Sequence, residues 1–319
     1  MNILIFAGKP PLPHDSIPLG WLHAFSSLGY RCKLWIKEKE NSFDVFDTFQ
    51  PDVVFAYTKD IERDFVKCLK QYPNTKPVLF LSDWEDAEDK EIYLFHKIMS
   101  LKDIKKIAFS HNLNSFLHQT HRNWSSSGVR VLSCLPAGDI TVYKPESLSS
   151  ERNDITYIGY YTNSKNIRNF ILPLTEIYNI KIYGYGNWPT PYHLGFIDNN
   201  KLLSSIINNS IINLAIPRLD SKTITEKVFK ILACGGFCLS YETEPINLFE
   251  GTVPSFAYYS ELEKLIEKFL KQPDLCYDLS YYSHKILKAK HTYYNRIQQI
   301  FKELELPTDK FDRKIEELE

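Results

Sequence analysis

The chain has 319 residues, 44% of them hydrophobic, with 38 lysines and arginines set against 39 aspartates and glutamates. That length suits two cores of ordinary domain size, and the cancelled charge leaves no summed positive field to hold a long polyanion, which argues against nucleic acid as a partner. The six cysteines contain no C-x-x-C pair, so neither a disulfide framework nor a zinc ribbon is indicated and reduced, mostly buried thiols are expected.

The chain opens on Asn2-Ile3-Leu4-Ile5-Phe6-Ala7, an apolar run too short for a signal peptide and without its basic flank; it reads as a first buried strand. Further strands are predicted at 32–36, 53–57, 78–81, 107–110 and 129–133, where short β-branched runs are bounded by turn residues. Between them, 17–28, 61–71 and 86–99 carry apolar residues at three- and four-residue steps and read as helices. This alternation predicts an α/β, doubly wound, Rossmann-like domain over residues 1–145. A polar, serine-rich stretch, 146–154, is the expected linker.

The pattern then restarts, with strands at 155–159, 180–183, 211–215 and 237–240 and helical segments at 167–177, 201–208, 225–234 and 261–270, giving a second Rossmann-like domain over 155–285. A last helical region, 277–304, is too long for the second core alone, so residues 286–319 are expected to pack back toward the first domain. Two such halves place the carboxyl ends of both sheets at one central cleft, where function is expected. No stretch approaches the ~18 apolar residues of a spanning helix, since Lys227 and Lys230 interrupt even the segment that runs to Leu239. The expected location is cytoplasmic, with contact to a membrane surface left open.

The strongest local signal is the run from Thr223 to Ser240, Thr-Ile-Thr-Glu-Lys-Val-Phe-Lys-Ile-Leu-Ala-Cys-Gly-Gly-Phe-Cys-Leu-Ser. Thr225 suits a helix cap, Glu226 sits in the first turn where the macrodipole favours an anion, and Gly235-Gly236 ends the helix before a strand. The start of such a helix offers free N–H groups to a diphosphate, with the hydroxyls of Thr223 and Thr225 as further donors. Glu226 would accept hydrogen bonds from ribose or sugar hydroxyls, and Lys227 would neutralise phosphate charge. The plainer alternative is a well-capped helix followed by a buried strand.

The surroundings of that helix resemble one family. Leu135-Pro136-Ala137-Gly138-Asp139 with Tyr143-Lys144-Pro145, then Ile155-Thr156-Tyr157-Ile158-Gly159, Ile182-Tyr183-Gly184-Tyr185-Gly186-Asn187-Trp188, His193-Leu194-Gly195-Phe196-Ile197 and His291-Thr292-Tyr293-Tyr294-Asn295-Arg296 follow one another in order. They are similar to segments of GT-B glycosyltransferases of the spore-maturation CgeB-like group, related to family 1 and family 4 transferases. The resemblance covers roughly residues 130 to 300 and implies a GT-B fold, with 1–145 as acceptor domain and 155–285 as nucleotide-sugar donor domain. It implies metal-independent transfer from a UDP- or GDP-sugar, without a cofactor, to a glycan, lipid, protein or small-molecule hydroxyl, and it leans toward retention of configuration. Closure of the two domains would exclude water from the donor.

By the same resemblance, Gly184 and Gly186 allow close backbone approach, Trp188 would shield or stack on the base, with core packing as its plainer alternative, and Phe196 and Ile197 follow the turn that reads it. Arg218 would hold the diphosphate in its guanidinium fork, supported by Lys227. In the first half, Gly8 and the loop after it rim the cleft, and His14 or Asp15 would serve as base of an inverting transfer. A merely solvated histidine is the alternative. Asp83-Trp84-Glu85-Asp86 reads as helix capping rather than as a metal motif, and His111 either lines the cleft or caps the next helix.

One departure stands out. Many relatives read Arg-x-Phe-Glu along this helix, and here the glutamate position is Lys230; Glu226, one turn earlier on the same face, would replace it. The Thr-Glu-Lys wording is also similar to fucosyltransferase donor sites. A non-catalytic GT-B scaffold or partner subunit, or a sugar-nucleotide epimerase of the same fold, remains as an alternative.

Overall fold

A computed structural model of the chain describes every residue except 8–15, 82–85, 87, 113, 148–151 and 218–223. It divides into two units, Met1–Leu135 with Tyr293–Lys314, and Pro136–Thr292 with Ile315–Glu319.

In the first unit β1 (Asn2–Ala7), α1 (Ser16–Ser27), β2 (Arg31–Ile36), α2 (Ser42–Phe49), β3 (Val53–Tyr57), α3 (Arg63–Gln71), β4 (Lys76–Phe80), α4 (Asp89–Lys102), β5 (Ile107–Ser110), α5 (Asn114–Thr120), α6 (Arg122–Ser126) and β6 (Arg130–Ser133) follow in order. The strands form one parallel sheet in the order β2-β1-β3-β4-β5-β6. The helices α2, α5 and α6 go beyond the sequence expectation. α2 buries Val45, Phe46 and Phe49, one apolar stripe at three- and four-residue steps. Asp86, expected to open a helix, precedes α4 and instead accepts from Asn123 N in the first turn of α6 at 3.0 Å.

The second unit contains β7 (Asn153–Ile158), a π-helical turn (Ile167–Ile171) running into α7 (Leu172–Ile177), β8 (Ile180–Tyr183), α8 (Asn200–Asn208), β9 (Ser210–Ala215), α9 (Glu226–Ala233), β10 (Cys238–Tyr241), β11 (Ser255–Phe256), α10 (Tyr259–Leu270) and α11 (Pro273–Lys290). Its parallel sheet runs β11-β10-β9-β7-β8. Numbered within its own unit, each sheet has the doubly wound order 2-1-3-4-5, and the first adds a sixth strand.

The predicted helix 277–304 is two helices. α11 stops at Lys290, and α12 (Tyr293–Glu303) starts after His291 and Thr292. His291 is buried beside the rings of Phe229 and Phe249, and its carbonyl accepts from Gly138 N at 2.9 Å, so two distant sequence motifs are paired where the chain enters and leaves the second unit. A second link between the same motifs lies in the first unit, where Arg296 Nε donates to Leu135 O at 2.9 Å.

α12 and α13 (Asp309–Glu316) return the chain to the first unit up to Lys314. Tyr293 meets the Trp21 ring edge-on at 4.9 Å, and Phe301 and Phe311 pack on Phe25. With Ile297 and Ile300 these are five fully buried side chains, each contributing ~1.5–3 kcal/mol of apolar burial. The other face of that sheet is covered by a stack of Phe6, Trp35 and Phe65, with Phe6 and Trp35 centred 4.1 Å apart. All six cysteines are free, and all but Cys32 are buried.

Candidate functional site

A doubly wound sheet binds ligands outside the carboxyl ends of its strands, where the strand order reverses. In the second unit that reversal lies between β7 and β9. Lys227, in the first turn of α9, spans it: its Nζ donates to Tyr157 Oη of β7 at 2.9 Å and to the carbonyl of Ile216, just past β9, at 3.2 Å. The ammonium lies 4.6 Å from the centre of the Tyr157 ring. An ammonium has three protons, and among the described residues these bonds use two. Gly159, the first residue past β7, makes room for the arrangement, because a Cβ there would come within 2.7 Å of both Lys227 Nζ and Tyr157 Oη.

The helix start is built as its sequence requires. Thr225 is the N-cap in extended backbone, and its side chain accepts from Lys227 N at 3.4 Å. Glu226 stands 3.9 Å from Lys230 Nζ, an i,i+4 pair in which the lysine is 8% exposed and the carboxylate 32%. Lys230 also lies 5.6 Å from the centre of the Tyr143 ring. Burial, with the nearby Cys234, Asp139 and Glu226, pushes the Tyr143 hydroxyl well above the ordinary tyrosine range, so it stays a neutral donor. The lysine at the glutamate position of the resemblance is thus ion-paired with the acid one turn earlier.

Beside this lies the turn after β8. Gly184 and Gly186 have φ of +140° and +99°, and a Cβ on Gly184 would fall 2.0 Å from Gly159 O. The glycines bring the turn against the loop that follows β7, where Gly159 N donates to Tyr183 O and Tyr161 N to Tyr185 O, both at 2.8 Å. Segment 193–195 runs alongside: Gly184 N donates to Gly195 O at 2.9 Å, and His193 Nε2 donates to Gly184 O at 2.8 Å. Trp188 is 7% exposed, with Tyr157, Tyr161 and His193 against it, so its area goes into the core. Ile197 is buried as well.

Phe196, which the sequence reading did single out, belongs to an aromatic stack with two tyrosines that it did not: Tyr185 lies 3.8 Å over Phe196, and Tyr160 lies 5.4 Å from Tyr185. Tyr160 is 44% and Tyr185 37% exposed. The signal available was their place beside Gly159 and between Gly184 and Gly186.

In the first unit, His111 follows β5 and is buried. Its Nδ1 donates to Cys134 O, a carbonyl that only accepts, at 2.7 Å, and its Nε2 lies 2.9 Å from Tyr57 Oη. The ring stacks on Phe80 at 5.0 Å. Gly8, His14, Asp15, Asp83, Glu85, Arg218 and Thr223 lie outside the described residues. Among the described residues no three His, Cys, Asp or Glu side chains group as a metal site, and no helix is long and apolar enough to cross a membrane.

Residues 163–302, less than half of the chain, match the profile of a family described as glycosyl transferase-like. No curated protein matches the sequence. Solved structures match along nearly the whole length. An alpha-glucosyltransferase in complex with UDP and a 13-mer DNA superimposes with a TM-score of 0.67 at 12% identity, covering 96% of this chain and 99% of that one. Sucrose-phosphate synthase from Thermosynechococcus elongatus gives 0.65 at 10% identity, over 95% and 98%. HepE from Anabaena, in complex with UDP-glucose, gives 0.60 at 12% identity, over 96% and 99%. The chain therefore has the GT-B fold, two doubly wound α/β units in one polypeptide.

Proposed function

We propose that this GT-B-fold chain is a glycosyltransferase that takes a sugar from a uridine-diphosphate donor held by its second unit. The observation that carries the reading is Lys227, an ammonium with two bonds among the described residues, fixed at the strand-order reversal beside a capped helix start and a glycine without a Cβ. Negative charge grows on a diphosphate as its bond to the sugar breaks, and a cation held in place beforehand stabilises that state more than the bound substrate. Arg218 and Thr223 would add donors to the same diphosphate, while Tyr185, Tyr160 and Phe196 would supply the apolar wall for the base. The positive charge is read as coming from side chains rather than a metal ion, with retention of configuration. His14 or Asp15 would enter only in an inverting transfer. The acceptor is read as a hydroxyl of a glycan, lipid, protein or small molecule, because a net charge of −1 offers no summed field for a long polyanion.

The test is thermal unfolding against UDP, GDP, dTDP, CMP and their sugars, with and without chelator. UDP at about 100 times its dissociation constant is expected to add ~2.7 kcal/mol, with the shift unchanged by chelator. The alternative of a non-catalytic scaffold draws on the Glu226–Lys230 pair, which occupies the acid expected to bind hydroxyls. A chain that no nucleotide stabilises would support the scaffold and end the transferase reading.

A further inference from the structure

The second unit has a recess at the far end of α9 from Lys227. The helix begins at Glu226 beside the strand-order reversal, and Gly235 follows its last turn, roughly 13 Å along the axis at ~1.5 Å per residue. There a cavity of about 290 Å³ is lined by Glu146, Asn208 and Gly235 together with Tyr277, Tyr281 and His284 of α11. Its frame is tied: Asn208 accepts from Glu146 N at 3.1 Å and donates to Gly235 O at 3.3 Å.

The groups left to meet a ligand are of two kinds. Tyr277 and Tyr281, one helical turn apart, are 53% and 58% exposed and offer ring surface. Besides the Tyr277 and Tyr281 hydroxyls and the Asn208 amide, which can donate, the polar side chains offer acceptors. His284 Nδ1 is 2.7 Å from the carbonyl of Leu232 and so carries its proton, which leaves Nε2 bare; burial holds this ring below the ordinary histidine range and keeps it neutral. Glu146 adds a carboxylate, and Ser280, whose hydroxyl donates to Tyr277 O at 2.8 Å, adds oxygen lone pairs. No lysine or arginine is among the described lining residues.

Acceptors beside aromatic rings, with no cation, disfavour phosphates and nucleotides and suit an uncharged ligand that carries many hydroxyl donors and an apolar C–H face. We propose that this recess is a carbohydrate subsite that holds one sugar ring of the acceptor or product glycan, separate from the donor site. Only the assignment of that sugar to acceptor or product rests on the glycosyltransferase reading; the sugar chemistry rests on the recess itself.

Saturation-transfer NMR on the full chain tests it, with methyl glycosides of glucose, galactose, mannose and N-acetylglucosamine as probes and tetramethylammonium as a cationic control. Transfer to the ring protons of at least one glycoside is expected, unchanged by saturating UDP. It should fall at least about fivefold in Tyr281→Ala, whose melting temperature stays that of the parent, and persist in Tyr281→Phe. Absence of transfer from every glycoside, displacement by UDP, indifference to Tyr281→Ala, or binding of the ammonium probe alone would overturn the proposal. A glycoside that binds at the recess of a chain deaf to UDP would leave the subsite standing and remove the donor reading instead.

Discussion

Lys227→Met removes the ammonium and keeps most of the apolar stem. In the free protein it deletes two donations, to Tyr157 Oη and to the carbonyl of Ile216, at a cost to folding of about 1 kcal/mol each. In the nucleotide complex it deletes a charge-assisted contact to phosphate as well, worth ~1.5–3 kcal/mol, or roughly a 10- to 150-fold rise in the dissociation constant. The two effects separate experimentally. Titration calorimetry reads affinity directly, and melting in the absence of ligand reads the folding cost. At a UDP concentration about 100 times the parent dissociation constant, stabilisation should drop from ~2.7 to between ~0.3 and ~1.3 kcal/mol. A Lys227→Met protein that is folded and binds UDP as tightly as the parent refutes the assignment of this lysine to the diphosphate.

Gly184→Ala should cost about 3 kcal/mol or more, since φ is +140° and the new Cβ would fall 2.0 Å from Gly159 O; a urea midpoint within about 1 kcal/mol of the parent would contradict that packing. Glu226→Gln and Lys230→Met form a double-mutant cycle, with an expected coupling of ~0.5–3 kcal/mol in denaturant unfolding; additive single effects would show that the i,i+4 pair carries nothing. His284 contributes a pH slope. Its folded pKa is lowered from 6.5, so between the two values the unfolded chain binds a proton that the folded chain refuses, and stability rises with pH through that window and levels off above it. His284→Gln should flatten this part of the urea midpoint profile between about pH 5 and about pH 7.5, and an unchanged slope would mean that the ring is not held neutral.

Both sheets were legible because buried parallel strands are short continuous apolar runs, and 107–110 and 180–183 were predicted to the residue. α2 was hidden because Phe43, Val45 and Phe46 crowd a short segment whose local alternation mimics a strand; only the fold shows that Val45, Phe46 and Phe49 share one face. The break between α11 and α12 carries neither glycine nor proline. It is set by tertiary contacts, the His291 carbonyl to Gly138 and the ring between Phe229 and Phe249, which no local pattern encodes. At the site, the Thr225 cap and the Lys227 charge were visible from helix chemistry. The partnership of Lys227 with Tyr157 was not, because it depends on β7 lying next to β9 in a sheet whose order cannot be read from spacing. Trp188 took the plainer of its two readings, core packing, which the size of the ring already favoured, while its neighbours Tyr185 and Tyr160 keep open surface.

The return of the chain to its first unit has a consequence for synthesis on the ribosome. Tyr293, Phe301 and Phe311, which cover Trp21 and Phe25, emerge roughly 160–175 residues after Leu135, a wait of ~8–35 s at ~5–20 residues per second. Through that interval the Trp21 and Phe25 rings of α1 lack their outer aromatic cover, while residues 136–292, nearly all of the second unit, are already in place to fold. A chain cut short before α12 would leave the Trp21 and Phe25 rings of α1 without that cover permanently.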